Sequence, residues 1–387
     1  MRQRAGIARI AILLSISGCI LVACGTASTT ATNPAGPDGA LSSALQKLVA
    51  IPGGPPGAIA IVQSDSRLRV VTAGVGDVTA RTAIAADDTL RIASVSKAFS
   101  GAVALSLVSQ GKLSVTDTIG MRLPTLPAAW GSVTLGQLLQ HTSGVPDYIK
   151  SPEFVAALKA DPLQSLTPMQ LLGFVAHEPL AFPAGARYQY SDSDNIVVGL
   201  MVEAATGESY TTALDQHVSV PLHLAKTTLP DNVQLPEPFV RGYDIEIGKP
   251  PDDVSMVLNP VLAWASGGML STPTELNEFM RSYVRGELFS KATQAEQLQF
   301  VPGSSGPPGP GTNAAGLGIF RYQTGCGTVF GHTGNFPGYT LFAASSPDGR
   351  SSVVVAVNQQ LNSTPVTPAF TLLREADELG VCAALGG

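Results

Sequence analysis

The feature that most limits how this chain can fold is the segment 94–110, Ser-Val-Ser-Lys-Ala-Phe-Ser-Gly-Ala-Val-Ala-Leu-Ser-Leu-Val-Ser-Gln. Its apolar residues wrap most of the way round a helix, so the helix belongs at the centre of the molecule rather than on its surface. Gly111 follows as a natural C-cap. A central helix needs covering elements, and the sequence supplies them from two directions. Residues 58–63 read as a buried strand and 69–76 as its hairpin partner, after a helix at 41–49. Residues 325–330, 339–344 and 352–357 read as three more strands, closed by a helix at 365–379. From about 115 to 250 the pattern is helical with proline-rich loops. The economical layout is one sheet built from both ends, residues 41–115 and 255–387, with a mostly helical insertion at 116–254. A crevice between two such parts is a common place for an active site. The Gly- and Pro-rich loop 302–313 is expected to be irregular and surface-exposed.

With 44% hydrophobic and 13% charged residues in 387, the chain can bury a large core and does not read as disordered. A net charge of −6 with no basic run beyond the first nine residues argues against nucleic acid as a partner. Those first residues form a leader: Arg2, Arg4 and Arg9, an apolar stretch from Ile10 to Val22, then Leu21-Val22-Ala23-Cys24-Gly25. The order looks like a bacterial lipoprotein signal, with residues 1–23 removed and Cys24 lipidated. The expected location is the extracytoplasmic face of the cell membrane, held by a lipid anchor. Residues 24–40 are small, polar and proline-containing, as a flexible tether would be. Cys326 and Cys382 remain, an even pair in an oxidising compartment. A disulfide between them is the expectation; two buried thiols are the alternative. No cysteine or histidine lies at metal-ligand spacing, so neither metal nor other cofactor is expected.

Three short elements carry chemistry. In Ser94-Val95-Ser96-Lys97 the lysine lies one helical turn beyond the serine, on the same face. A serine hydroxyl needs a neighbouring base, and a lysine inside an apolar helix is placed to serve. Tyr190-Ser191-Asp192 precedes another helical run; its tyrosine could share the general-base work and its aspartate could bond Lys97 or a substrate amide. His332-Thr333-Gly334, expected at a strand start, would let the next amide, that of Asn335, donate to an oxyanion beside the amide of Ser94. Each element alone reads equally well as an N-cap, a buried tyrosine or a tight turn.

Together and in this order they resemble the serine β-lactamase and penicillin-binding superfamily, with its S-x-x-K, Tyr-x-Asn or Ser-Asp-Asn, and Lys-Thr-Gly elements. The branch most resembled holds class C β-lactamases, D-alanyl-D-alanine carboxypeptidases and related esterases. Leu90-Arg91-Ile92-Ala93, the run from Leu138 to Gly144, that from Ala265 to Thr272, and Gly338-Tyr339 extend the likeness. The resemblance implies an α/β (α+β) fold: an antiparallel sheet flanked by helices, with an inserted helical domain and the serine at their junction. It implies acylation of Ser94, base work by Lys97 and Tyr190, an oxyanion hole of the Ser94 and Asn335 amides, and His332, Thr333 and Gly334 facing the substrate.

Two departures stand out. Asp192 occupies the place of the usual asparagine, and His332 that of the usual lysine. The first adds negative charge; the second offers a substrate carboxylate less than an ammonium would. Ser193-Asp194-Asn195 spells the alternative second motif in another register, although the following helix aligns better with Tyr190 and Asp192. His141 could be read as a triad histidine, but its setting suits a cap or loop-packing role. The expected activity is a serine hydrolase working through an acyl-enzyme on peptidoglycan-type peptides, small esters or β-lactams, carboxypeptidase-like or esterase-like ahead of β-lactamase. A non-catalytic, penicillin-binding-like envelope lipoprotein is the other class.

Overall fold

The computed structural model describes residues 37–65 and 67–386. The leader, Cys24 and most of the expected tether lie outside them. Helix α1 (Pro37–Ala50) already takes in the last four residues assigned to the tether. Proline is tolerated at the first helical turn, where its missing N–H would have had no partner, so the Pro-Asp-Gly-Ala run does not forbid a helix.

Eight strands form one antiparallel sheet: β1 (Gly57–Ser64), β2 (Arg67–Gly74), β3 (Val301–Pro302), β4 (Thr312–Ala315), β5 (Phe320–Thr324), β6 (Gly327–Phe336), β7 (Tyr339–Ser345) and β8 (Ser352–Val357). Their order is β2-β1-β8-β7-β6-β5-β4-β3. The N-terminal hairpin therefore docks on the last strand, with Ala58 opposite Val357 and Gln63 opposite Ser352. The two strands at this junction are buried nearly throughout and rich in Val, Ile and Ala, as strands covered on both faces must be. β2 closes that edge and is largely exposed.

Alternation sorts the side chains. Ala58, Ala60, Val62, Val353 and Val355 meet α1 and the C-terminal helix α5 (Pro368–Leu385) on one face. Ile59, Ile61, Ala343, Val354 and Ala356 meet the other core, which holds α2 (Ser96–Ser109), α3 (Asp192–Thr206) and α4 (Pro273–Arg285). Cys326, in the β5–β6 turn, is bonded to Cys382 of α5, with Cα atoms 5.1 Å apart.

Three expectations need correction. The third motif lies within β6, not at a strand start, because its glycines pass where the backbone meets neighbouring chains too closely for a side chain. Ser94 belongs to a 3₁₀ turn, Ala93–Val95, that precedes α2 instead of opening it. The loop before β4 is irregular as expected but only partly exposed: Gly306 and Gly311 face solvent, whereas Ser305, Pro307, Gly309 and Pro310 are buried.

Candidate active site

Ser94 is the one residue between Thr89 and Leu107 that is not buried. The turn that presents it is strained, since Ala93 has φ +50°. A non-glycine residue in that region costs on the order of 1 kcal/mol or more and is held there by its surroundings. Here the holding element is β6. A Cβ at Gly334 would stand 2.5 Å from the Ile92 carbonyl and 3.1 Å from the Ala93 methyl. This close approach sets the backbone around Asn335 beside the serine turn.

One turn on, Lys97 is 1% exposed. Its three protons have three acceptors: Ser94 Oγ at 3.2 Å, Asp192 Oδ1 at 2.6 Å and the Ser266 carbonyl at 2.7 Å. The ammonium is thus fully bonded without a water. Because Lys97 donates to Ser94 Oγ, the hydroxyl's own proton is free to point elsewhere. Asp192 is 14% exposed and opens α3, so its carboxylate also suits the positive end of that helix.

Tyr190 lies over this cluster, with Lys97 Nζ 4.9 Å from its ring centroid. The phenol oxygen is buried and makes no hydrogen bond of good geometry. Burial, and then the Asp192 charge, push its pKa well above the ordinary 10, while the nearby Ser94 hydroxyl works in the opposite direction. Tyr190 therefore rests as a neutral phenol.

His332 is 1% exposed, and its Nδ1 lies 2.6 Å from the Thr333 carbonyl. A carbonyl only accepts, so Nδ1 carries the proton and Nε2 is left as a buried lone pair without a partner. Burial, aided by the Lys97 charge, lowers the His332 pKa to about 3. The imidazole is neutral at any ordinary pH. The Thr333 hydroxyl is also committed, donating to the Pro307 carbonyl at 2.5 Å. Asn335 bonds outward through its side chain, to Asn362 and Thr340.

The structure separates the two registers of the second motif. Asp192 touches Lys97, whereas Ser193, Asp194 and Asn195 bond Tyr148 N, His141 with Ser143, and Ser100 respectively. His141 makes no bond to Ser94. Its Nδ1 lies 2.9 Å from Asp194 Oδ2, its ring sits 4.5 Å from that of Tyr190, and its carbonyl accepts from Gln189 N. Burial drives Asp194 up and His141 down to about 3, so this pair favours its uncharged form. Sequence reasoning passed over Asp147. Its carboxylate accepts from Asp192 N at 3.1 Å and pairs with Lys150, and burial followed by the Asp192 charge raises it to about 6. An aspartate just after the His-Thr-Ser-Gly run was the available signal.

A family model described as Beta-lactamase matches residues 42–378. The chain belongs to the beta-lactamase family. It is accordingly a serine hydrolase of the β-lactamase and penicillin-binding type. Among solved structures, a D-stereospecific amidohydrolase from Streptomyces sp. is 29% identical, with a TM-score of 0.75 over 87% of this chain and 97% of that one. A D-amino acid amidase from Ochrobactrum anthropi SV3 shares the fold at 21% identity and TM-score 0.77, covering 89% and 98%. "Protein flp" of Staphylococcus aureus (strain MRSA252) is 25% identical over 279 residues, 70% of this chain and 52% of that protein. The chain thus spans about half the length of that relative.

Proposed function

We propose that this family member cleaves uncharged esters or amides through an acyl-enzyme on Ser94, in preference to substrates carrying a free carboxylate beside the scissile bond. The observation that carries the reading is the third motif. Neutral His332 offers no cation, and the Thr333 hydroxyl is already donated to Pro307. A carboxypeptidase or a penicillin acceptor needs charge or free donors there. The amidohydrolase likeness supports an amide-cleaving reading.

In the reaction so read, the Lys97–Tyr190 pair first releases one proton to solvent; Ser94 Oγ then attacks the carbonyl carbon and its own proton passes to the basic position so opened. The oxyanion meets the amides of Ser94 and Asn335. The same proton goes to the leaving amine or alcohol as the C–N or C–O bond breaks. Water then repeats the sequence and releases the acid. Exported residence and lipid attachment at Cys24 complete the reading. A Cys24→Ala chain is expected in the soluble fraction of a bacterial host, the parent in the membrane fraction.

The test is an intact-mass spectrum of the chain from Gly25 onward, which keeps α1 whole, after exposure to an activated neutral ester or a penicillin, for the parent and for Ser94→Ala. An adduct from the ester, absent in Ser94→Ala and faster than that from penicillin, is expected. Equal or faster acylation by penicillin would overturn the preference. No Ser94-dependent adduct or turnover in a folded protein would return the chain to the non-catalytic class.

A further inference from the structure

The loop between β3 and β4 has no role in that chemistry, yet it lies against the site. Its glycines let it do so. A Cβ at Gly303 would fall 2.5 Å from the Tyr188 ring, Gly309 is pressed against the Tyr322 ring, and Gly306 faces the Tyr190 ring. Polar bonds then fix the loop from both ends. The Tyr188 hydroxyl donates to the Ser304 carbonyl, and Ser305 Oγ bonds Tyr322 at 3.0 Å and the Pro307 carbonyl at 3.1 Å. At the far end the Asn313 amide bonds the Gly309, Pro310 and Gly311 carbonyls, while its oxygen accepts from Gly309 N. So many bonds to a segment without secondary structure mark a set conformation rather than a loose one.

That conformation delivers the Pro307 carbonyl to Thr333, whose hydroxyl has a single proton to give. A carboxylate arriving at the third motif would meet a carbonyl oxygen and the His332 Nε2 lone pair, both acceptors. We propose that the 303–311 loop is the specificity element of this enzyme: by occupying the Thr333 hydroxyl it excludes carboxylate-bearing substrates, independently of the charge at position 332. Tyr188 and Ser305 are positioning residues that hold the loop in this state. The inference rests on the reading that neutral esters or amides are preferred, and it assigns the exclusion to a particular segment.

The experiment compares acylation by a penicillin with turnover of a neutral ester in four chains: the parent, His332→Lys, a loop variant with residues 304–310 replaced by Gly-Ser-Gly, and the Tyr188→Phe/Ser305→Ala double variant. A thermal melt establishes that each is folded. The double variant keeps the test open where the shortened loop does not fold. Loosening or shortening the loop is expected to speed penicillin acylation tenfold or more, with ester turnover in the double variant within threefold of the parent. His332→Lys alone is expected to gain less than threefold. A full gain from His332→Lys with the loop intact would overturn the inference and leave the substrate preference standing. So would the absence of any gain in the folded loop variants. A parent that takes the penicillin as readily as the ester would overturn the preference itself, which is a different result.

Discussion

Asp192 and Asp194 stand two residues apart on α3 and are used in opposite ways. Asp194 is fully enclosed, one oxygen bonded to Ser143 and the other to His141. His141 in turn supports the Gln189–Ser191 backbone from its own strained conformation at φ +58°. Asp192 is half in the cleft, paired with Lys97 beside two buried polar atoms that have no partner, Tyr190 Oη and His332 Nε2. A buried polar atom left unbonded costs on the order of 1–3 kcal/mol. At Tyr190, which faces Lys97, and at His332 of the third motif the unmet bond coincides with groups available to a reacting molecule, whereas both Asp194 oxygens are spent on the frame. Stability and activity should therefore divide along the same line.

The sharpest way to break this contrast is Lys97→Met, which keeps the stem and removes the ammonium. Turnover of an activated ester is expected to fall ~10³-fold or more, with the chain still folded by circular dichroism. Tyr190→Phe comes next: a loss of ~10²-fold in kcat, while the melting temperature holds or rises, since the deleted hydroxyl makes no hydrogen bond of good geometry. A large drop in stability there would show that the hydroxyl is structural after all. Asp194→Ala is the mirror case. Unfolding in urea should show a loss of about 3 kcal/mol, with the remaining folded molecules keeping most of their ester turnover.

The smallest effect sharpens the comparison through pH. Burial holds the Asp377 carboxyl of α5 at about 7, against 3.8 unfolded, and Asp147 at about 6. Both folded values are raised, so their contribution to stability is fully present below pH ~4 and is lost as pH rises through 6 and 7. Asp377→Asn is expected to flatten that decline and raise the melting temperature at pH 8 by a few degrees, with little change at pH 4. Activity between pH 5 and 8 should show no histidine limb, since His141 and His332 are both depressed to about 3. A limb near 6 that vanishes in Asp147→Asn would tie it to the carboxylate behind Asp192.

Much of the site was legible in the sequence because helical spacing alone places Lys97 beside Ser94, and the Tyr-x-Asp run leads directly into α3. The two-ended sheet was legible for a similar reason: runs such as 58–63 and 352–357 are too apolar to be anything but covered strands. What escaped reading depended on contacts between distant segments. Nothing local to Asp147 says that it meets the start of α3 45 residues later. Nothing in a Gly-Pro run says that its glycines fit against Tyr188 and Tyr322; composition points to a solvent loop, and only the aromatic partners draw part of it inward. β6 was cut short because Gly331 and Gly334 look like breaks, whereas they mark where neighbouring backbones come closest.

The junction of β1 with β8 also bears on how the protein is made. Gly57 N donates to Asn358 Oδ1 across 301 residues of sequence. As a ribosome works from the amino end, the hairpin of β1 and β2 is finished long before its docking strand exists. One of the most apolar stretches of the chain must wait, unpaired, until nearly everything else has been synthesised. Folding is then a late event of the completed polypeptide, and a chain stopped short of Val357 is expected to expose β1 and aggregate rather than settle into a smaller working enzyme.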